Sequence, residues 1–248
     1  LQAMPAGAAD AAAAHRARSF LMAETGKALG GALSDAYRKT ATDAPFVPDA
    51  AQAGQRALRG ALLRLLAAGG GADAARLAHA QFASATNMTD AMAALGVLTH
   101  LDAPERQQAL DAFEARWKDN PLVMDKWMSV QAVSTRPGTL DAVKRLTAHP
   151  HFSLENPNRF RALVSAFATG NPLAFHDAGG AGFAFVADQA LAMDKVNPQV
   201  AARLFGAFES WRRFAPAIAG AMKSEIERVA RTEGLSKNLF EIATRALG

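Results

Sequence analysis

The sequence contains no cysteine, a single tyrosine and no apolar run long enough to cross a bilayer. Without cysteine there is no disulfide framework, no thiolate metal site and no thiol nucleophile. The same absence fits a reducing compartment, so the expected location is cytoplasmic. A membrane helix needs about 20 consecutive apolar residues, and polar residues interrupt every stretch well before that length, so no membrane partner is expected. The Ala-rich segment from Ala6 to Ala14 carries Asp10 and has no basic residue ahead of it, unlike a signal peptide. Because the chain opens on Leu1 rather than Met, it is expected to begin at a processing boundary.

Recognisable chemistry is also scarce. The six histidines are His15, His79, His100, His149, His151 and His176, and no two are four residues apart. A zinc-binding HExxH helix is therefore excluded. His149-Pro150-His151 is the closest pair, and with no evident partner carboxylate it reads as structural or solvated. Gly179-Gly180-Ala181-Gly182 lacks the Lys-Ser/Thr of a phosphate loop and follows no strand, so it reads as a turn. No GxSxG elbow offers a serine nucleophile. No catalytic residue and no metal ligand is assigned to this chain.

Charge adds a further limit. Lys and Arg number 27 against 23 Asp and Glu, for a net charge of +4 over 248 residues. Nucleic-acid binders gather basic residues on one face or in blocks. Here they are scattered, and the nearest approach to a cluster is Arg203, Arg212 and Arg213. Solvated helix faces account for them, which argues against a nucleic-acid partner.

What is present is helical periodicity, almost from end to end. Apolar stripes run through Leu29, Leu33 and Tyr37, then through Leu58, Leu62, Leu65 and Leu66. Further stripes follow at Val123, Trp127 and Val130, at Phe160, Leu163, Val164 and Phe167, and at Ile218, Met222, Ile226 and Val229. Met88, Met92, Met124, Trp127 and Met128 fall at the same spacing and read as core. No alternating β-branched stretch stands out, so the fold class is all-α. Asn-Pro pairs at 120–121, 156–157, 171–172 and 197–198 predict helix starts, since Asn caps and Pro suits the first turn. Asp102-Ala-Pro-Glu105 predicts a capping box, and Gly170 and Gly234 are placed to close helices.

Three of these starts and Ser236 are separated by 36, 41 and 39 residues, the length of a helix hairpin with its turns. Such hairpins stack, and a curved superhelical layer of the HEAT/TPR type is the expected architecture. Residues 1–248 read as one helical domain, with a looser N-terminal hairpin over 1–47. The glycine-rich stretches from Gly54 to Gly71 and from Gly179 to Gly182 are the candidate hinges. On these residues alone, a free-standing helical-repeat module for binding protein or nucleic acid remains open.

Four stretches carry more than rhythm: Asn87-Met-Thr-Asp90, Leu122-Val-Met-Asp-Lys-Trp127, Asn156-Pro-Asn-Arg-Phe-Arg161 continuing to Asn171-Pro172 and His176, and Asn197-Pro-Gln-Val-Ala-Ala-Arg-Leu204. In this order and spacing they resemble the C-terminal domain of bacterial aminopeptidase N, a family of zinc-dependent alanyl aminopeptidases. The likeness runs from about residue 46 to the end and more faintly back to residue 10. It implies a hydrolase whose HExxH zinc site and GAMEN motif lie in a catalytic domain upstream of Leu1. The cofactor would be zinc in that domain, with none in this chain. The partners implied are that catalytic domain and the peptide substrate. The chain itself would cover the active site, form the access channel and be inactive alone. By the same resemblance Arg161 and Arg203 match arginines that face the active-site chamber, and both are candidate substrate-binding residues. Phe183 departs from the family, which often has Tyr there, so any role for that hydroxyl is lost.

Overall fold

The computed structural model describes residues 4–42, 44–70 and 73–248 and divides into two compact units. Arg16–Lys118 form one; Leu1–His15 together with Asp119–Gly248 form the other. The described residues are helical and contain no strand; one isolated bridge joins Ala9 to Phe214.

The first unit holds most of α1 (Ala11–Ala28) and all of α2 (Gly30–Lys39), α3 (Ala50–Ala68), α4 (Ala74–Ser84), α5 (Met88–Leu98) and α6 (Pro104–Trp117). The chain breaks at Leu29, so α1 and α2 are separate helices rather than one long one. Leu33 and Tyr37 are buried as their stripe predicts, but Leu29 is half exposed. Leu58 is likewise exposed, and α3 instead buries Leu62 and Leu63. Glycine is required where α1 meets α3. A Cβ on Gly26 would lie 2.3 Å from the Leu65 carbonyl and 2.6 Å from the Gly69 nitrogen. Of the glycine-rich stretch, Gly60 is buried inside α3 and Gly71 lies outside the described residues.

The second unit holds α7 (Pro121–Ala132), α8 (Thr139–Leu146), α9 (Pro157–Phe160), α10 (Ala166–Gly170), α11 (Ala181–Asp194), α12 (Pro198–Phe205), α13 (Pro216–Ala230) and α14 (Lys237–Leu247). A π-helical segment, Arg161–Ser165, joins α9 to α10. α11 packs on α12 and α13, and α14 packs on the same two helices. Helix hairpins laid against one another in this way make a helical-repeat architecture.

Three of the four Asn-Pro pairs start helices, for a simple reason. Proline keeps the preceding residue out of the α region, so that residue must be the cap. Asn120, Asn156 and Asn197 are extended, and each accepts a first-turn amide hydrogen bond. Asn171 does something else. It is buried, donates to the carbonyls of Ala132 (3.0 Å) and Ser134 (2.7 Å), and accepts from the amides of Leu173 and Ala174. All four hydrogen-bonding positions of its amide are spent holding a turn to the end of α7, and no helix follows until Ala181.

The expected capping box at Asp102 also shifts. Ala103 precedes Pro104 and is the extended N-cap, so the helix begins one residue later than a box would need. Neither predicted closing glycine is a C′ residue. Gly170 ends α10 without a positive φ, and Gly234 turns the loop after α13 with φ +74°.

Phenylalanines centre the second unit. Phe175 meets Phe167, Phe183 and Phe208 edge to face at 5.0–6.1 Å, and all four are fully buried. Gly182 lets α11 approach this cluster, since a Cβ there would stand 2.3 Å from the Ala174 carbonyl.

Candidate functional site

The segment Asn156-Pro-Asn-Arg-Phe-Arg161 buries Arg159 and Phe160 and leaves Asn156, Asn158 and Arg161 exposed. Asn156 Oδ1 accepts from the amides of Asn158 (3.0 Å) and Arg159 (3.2 Å), which fixes the first turn. Phe160 is wholly buried. Arg161 is exposed, and its guanidinium donates to Asn158 Oδ1. The π segment begins at Arg161 itself. Such a segment leaves a carbonyl misaligned for the usual ladder, and single π turns are frequent at functional sites. Ser129 Oγ on α7 donates to the Ala162 carbonyl at 2.7 Å, which satisfies one carbonyl of the widened turn from a neighbouring helix.

Arg203 lies on α12, between buried Ala201 and buried Leu204, with its own side chain exposed. It takes no hydrogen bond or ion pair among the described residues, and none links it to Arg161. Both candidate arginines therefore belong to the second unit and present their charges to solvent. A guanidinium in that state offers a carboxylate or carbonyl a fork of donors.

Sequence reasoning passed over Arg159, the most buried charge in the segment. Its Nε lies 2.8 Å from Asp125 Oδ1, and its Nη2 donates to the Pro121 carbonyl at 3.1 Å. The Nε approach is a charge contact without hydrogen-bond alignment, and Nη1 is buried with no acceptor. Two of the four distinctive stretches thus meet through one ion pair: Asp125 from Leu122–Trp127 and Arg159 from Asn156–Arg161. A third stretch has a local explanation, because Asn87 and Asp90 cap α5 reciprocally. The Asp90 amide donates to Asn87 Oδ1 (2.9 Å), and Asn87 Nδ2 donates to Asp90 Oδ2 (2.8 Å).

His176 sits among Phe175, Phe183 and Phe214, with ring centroids at 4.8–6.2 Å. Burial lowers its pKa below the ordinary 6.5, a hydrogen bond with the Asn171 backbone pulling the other way, so it is held neutral as packing. The His149 ring lies tilted against those of His151 and Trp127, with centroids 5.2 Å apart in both pairs. Among the described residues no three His, Cys, Asp or Glu side chains are grouped to hold a metal. Among the described residues no helix is long and apolar enough to cross a membrane.

Comparison with known proteins fits this picture of a helical-repeat chain. A family model described as a domain of unknown function (DUF3458_C) with ARM repeats matches residues 2–248. Aminopeptidase N of Caulobacter vibrioides is 42% identical over 241 residues, covering 97% of this chain and 28% of the relative. Aminopeptidase N of Escherichia coli is 39% identical over 193 residues, covering 78% and 22%. The crystal structure of Legionella pneumophila aminopeptidase A in complex with aspartic acid superposes with a TM-score of 0.85 at 27% identity, covering 94% of this chain and 28% of that one. The chain spans between a fifth and a third of the length of these relatives. It belongs to the DUF3458_C ARM-repeat family, as the counterpart of the C-terminal helical domain of bacterial aminopeptidase N.

Proposed function

We propose that this chain is the non-catalytic C-terminal domain of a zinc aminopeptidase that removes N-terminal residues from short peptides. The carrying observation is the near-complete match to aminopeptidase N, 97% of this chain against 28% of the relative. In this reading residues 1–248 serve as one domain of a larger, cytoplasmic polypeptide. Zinc supplies the Lewis acid and activated water of hydrolysis in that family's chemistry. Its ligands belong to the part of the polypeptide outside this chain, as does the anchor for the free amine of the substrate. The cysteine-free composition supports the location.

The domain's own contribution is access and grip. It covers the active site, leaves a channel that admits short peptides, and holds the distal end of the peptide through Arg161 and Arg203. The exposure of both guanidiniums supports that role. Arg161 is also steadied by Asn158, which lowers the entropy lost when it takes a ligand.

A charge-assisted hydrogen bond contributes about 1.5–3 kcal/mol. Arg161→Ala or Arg203→Ala in the complete enzyme is therefore expected to lower kcat/KM for peptides by about 10–100-fold. The loss on single-residue amides, which have no distal end to hold, should be much smaller. Steady-state kinetics on the two substrate types decide the matter. Equal losses on both, or no loss on peptides, would remove the assigned role.

A further inference from the structure

A cavity of about 320 Å³ opens in the first unit, lined by the α2–α3 connection, the N-terminal half of α3 and the α4–α5 connection. All of its lining comes from that unit, so it is a different feature from Arg161 and Arg203.

Two guanidiniums reach it. Arg56 lies over the Phe46 ring at 4.7 Å and donates through Nη1 to Gln52 Oε1 (3.0 Å), which leaves Nε buried with no acceptor. Arg59 lies over the Tyr37 ring at 4.3 Å. Its Nη1 makes only long contacts, 3.3 Å to the Tyr37 carbonyl and 3.5 Å to Thr40 Oγ1. Asp90 supplies the opposite charge. Its Oδ2 is engaged by Asn87, while Oδ1 is buried with no donor.

The wall behind these groups is already assembled. The Tyr37 hydroxyl donates to Gln81 Oε1 (2.7 Å), and Gln81 Nε2 donates to the Asp90 carbonyl (3.1 Å). Burial raises the Tyr37 pKa, with Arg59 lowering it and Asp90 raising it, so both charges bear on the same hydroxyl. Buried polar atoms are nearly always paired in folded proteins. Here a cation and an anion, each with one buried atom unspent, line one cavity. They call for a ligand whose two ends carry opposite charge. A volume near the lower end of the usual ligand range, about 300–1,000 Å³, limits that ligand to a small molecule.

From this arrangement we infer that the cavity is a second binding site, for a free α-amino acid or dipeptide. The carboxylate of the zwitterion lies at Arg56 and Arg59 and its ammonium group at the Asp90 carboxylate. The site does not depend on the aminopeptidase reading.

Isothermal titration of the 248-residue protein tests this with three probes: L-alanyl-L-alanine, its N-acetyl derivative and its C-terminal amide. The dipeptide is expected to bind saturably. Each blocked form loses one charged hydrogen bond and should bind about 10–100-fold more weakly. Arg56→Gln should weaken the dipeptide by a similar factor while circular dichroism and Tm stay unchanged. Asp90 also caps α5, so Asp90→Asn serves only as a second variant, expected to abolish the preference for the free amine. No saturable heat with the dipeptide, equal binding of the N-acetyl form, or undiminished binding to Arg56→Gln would each overturn the inference.

Discussion

Asp125→Ala is expected to destabilise the protein by about 3–5 kcal/mol, the range for removing one partner of a buried ion pair. Arg159 is 5% exposed and has Asp125 as its counter-charge at 2.8 Å. The Pro121 carbonyl would remain to the guanidinium, but a single neutral acceptor does not compensate a full buried charge. The aspartate side chain is 21% exposed, so some water relieves the cost and the lower half of the range applies. Removing both charges differs from removing one. Asp125→Leu combined with Arg159→Met should recover most of the loss, because neither charge is then left buried alone. Urea unfolding of the two variants checks both statements, the expected sign being a lower midpoint at unchanged slope for the single substitution.

Phe175→Ala carries a comparable cost for a different reason. Truncating a buried Phe to Ala costs about 3–5 kcal/mol, through lost transfer energy and the cavity left behind. Phe175 is 1% exposed and touches Phe167, Phe183 and Phe208 in edge-to-face pairs, so its removal breaks three ring contacts at once. The backbone here cannot close up over the gap. Gly182 already brings α11 against Ala174 and Phe175, and Asn171 ties the preceding turn to the end of α7. The control is Leu58→Ala, where the side chain is 52% exposed and little apolar surface returns to water. Thermal unfolding should show a large fall in Tm for Phe175→Ala and almost none for Leu58→Ala.

These positions show how far the sequence was legible. Helix starts were read well because proline restricts its predecessor whatever the tertiary context, and Asn120, Asn156 and Asn197 obey that local rule. Asn171 shares the dipeptide but answers to carbonyls 37 and 39 residues away, which no local rule contains. The stripe at Ile218, Met222, Ile226 and Val229 is buried throughout, as 3.6-residue periodicity demands. Leu29 and Leu58 fit their stripes equally well and stay exposed. Periodicity says which residues share a face, not which faces find a neighbour.

The candidate sites divide along the same line. Arg161 and Arg203 came from words of the sequence that resemble a family, and the structure places both on exposed helix surface. Arg159 lies two residues from Arg161, yet its role depends on Asp125, which reaches it only through the packing of α7 against the π segment. The cavity was illegible for the same cause. Its charged residues lie at 56, 59 and 90, and only the folding of α3 against α5 brings them to one wall.

The central claim, that this chain completes a zinc aminopeptidase whose chemistry lies elsewhere in the polypeptide, is tested most directly by the coding sequence ahead of Leu1. The account predicts an in-frame segment carrying a GAMEN motif followed by HExxH and a downstream glutamate. A start codon close to residue 1, with no such segment in frame, would contradict it and leave a free-standing helical-repeat binding module in its place.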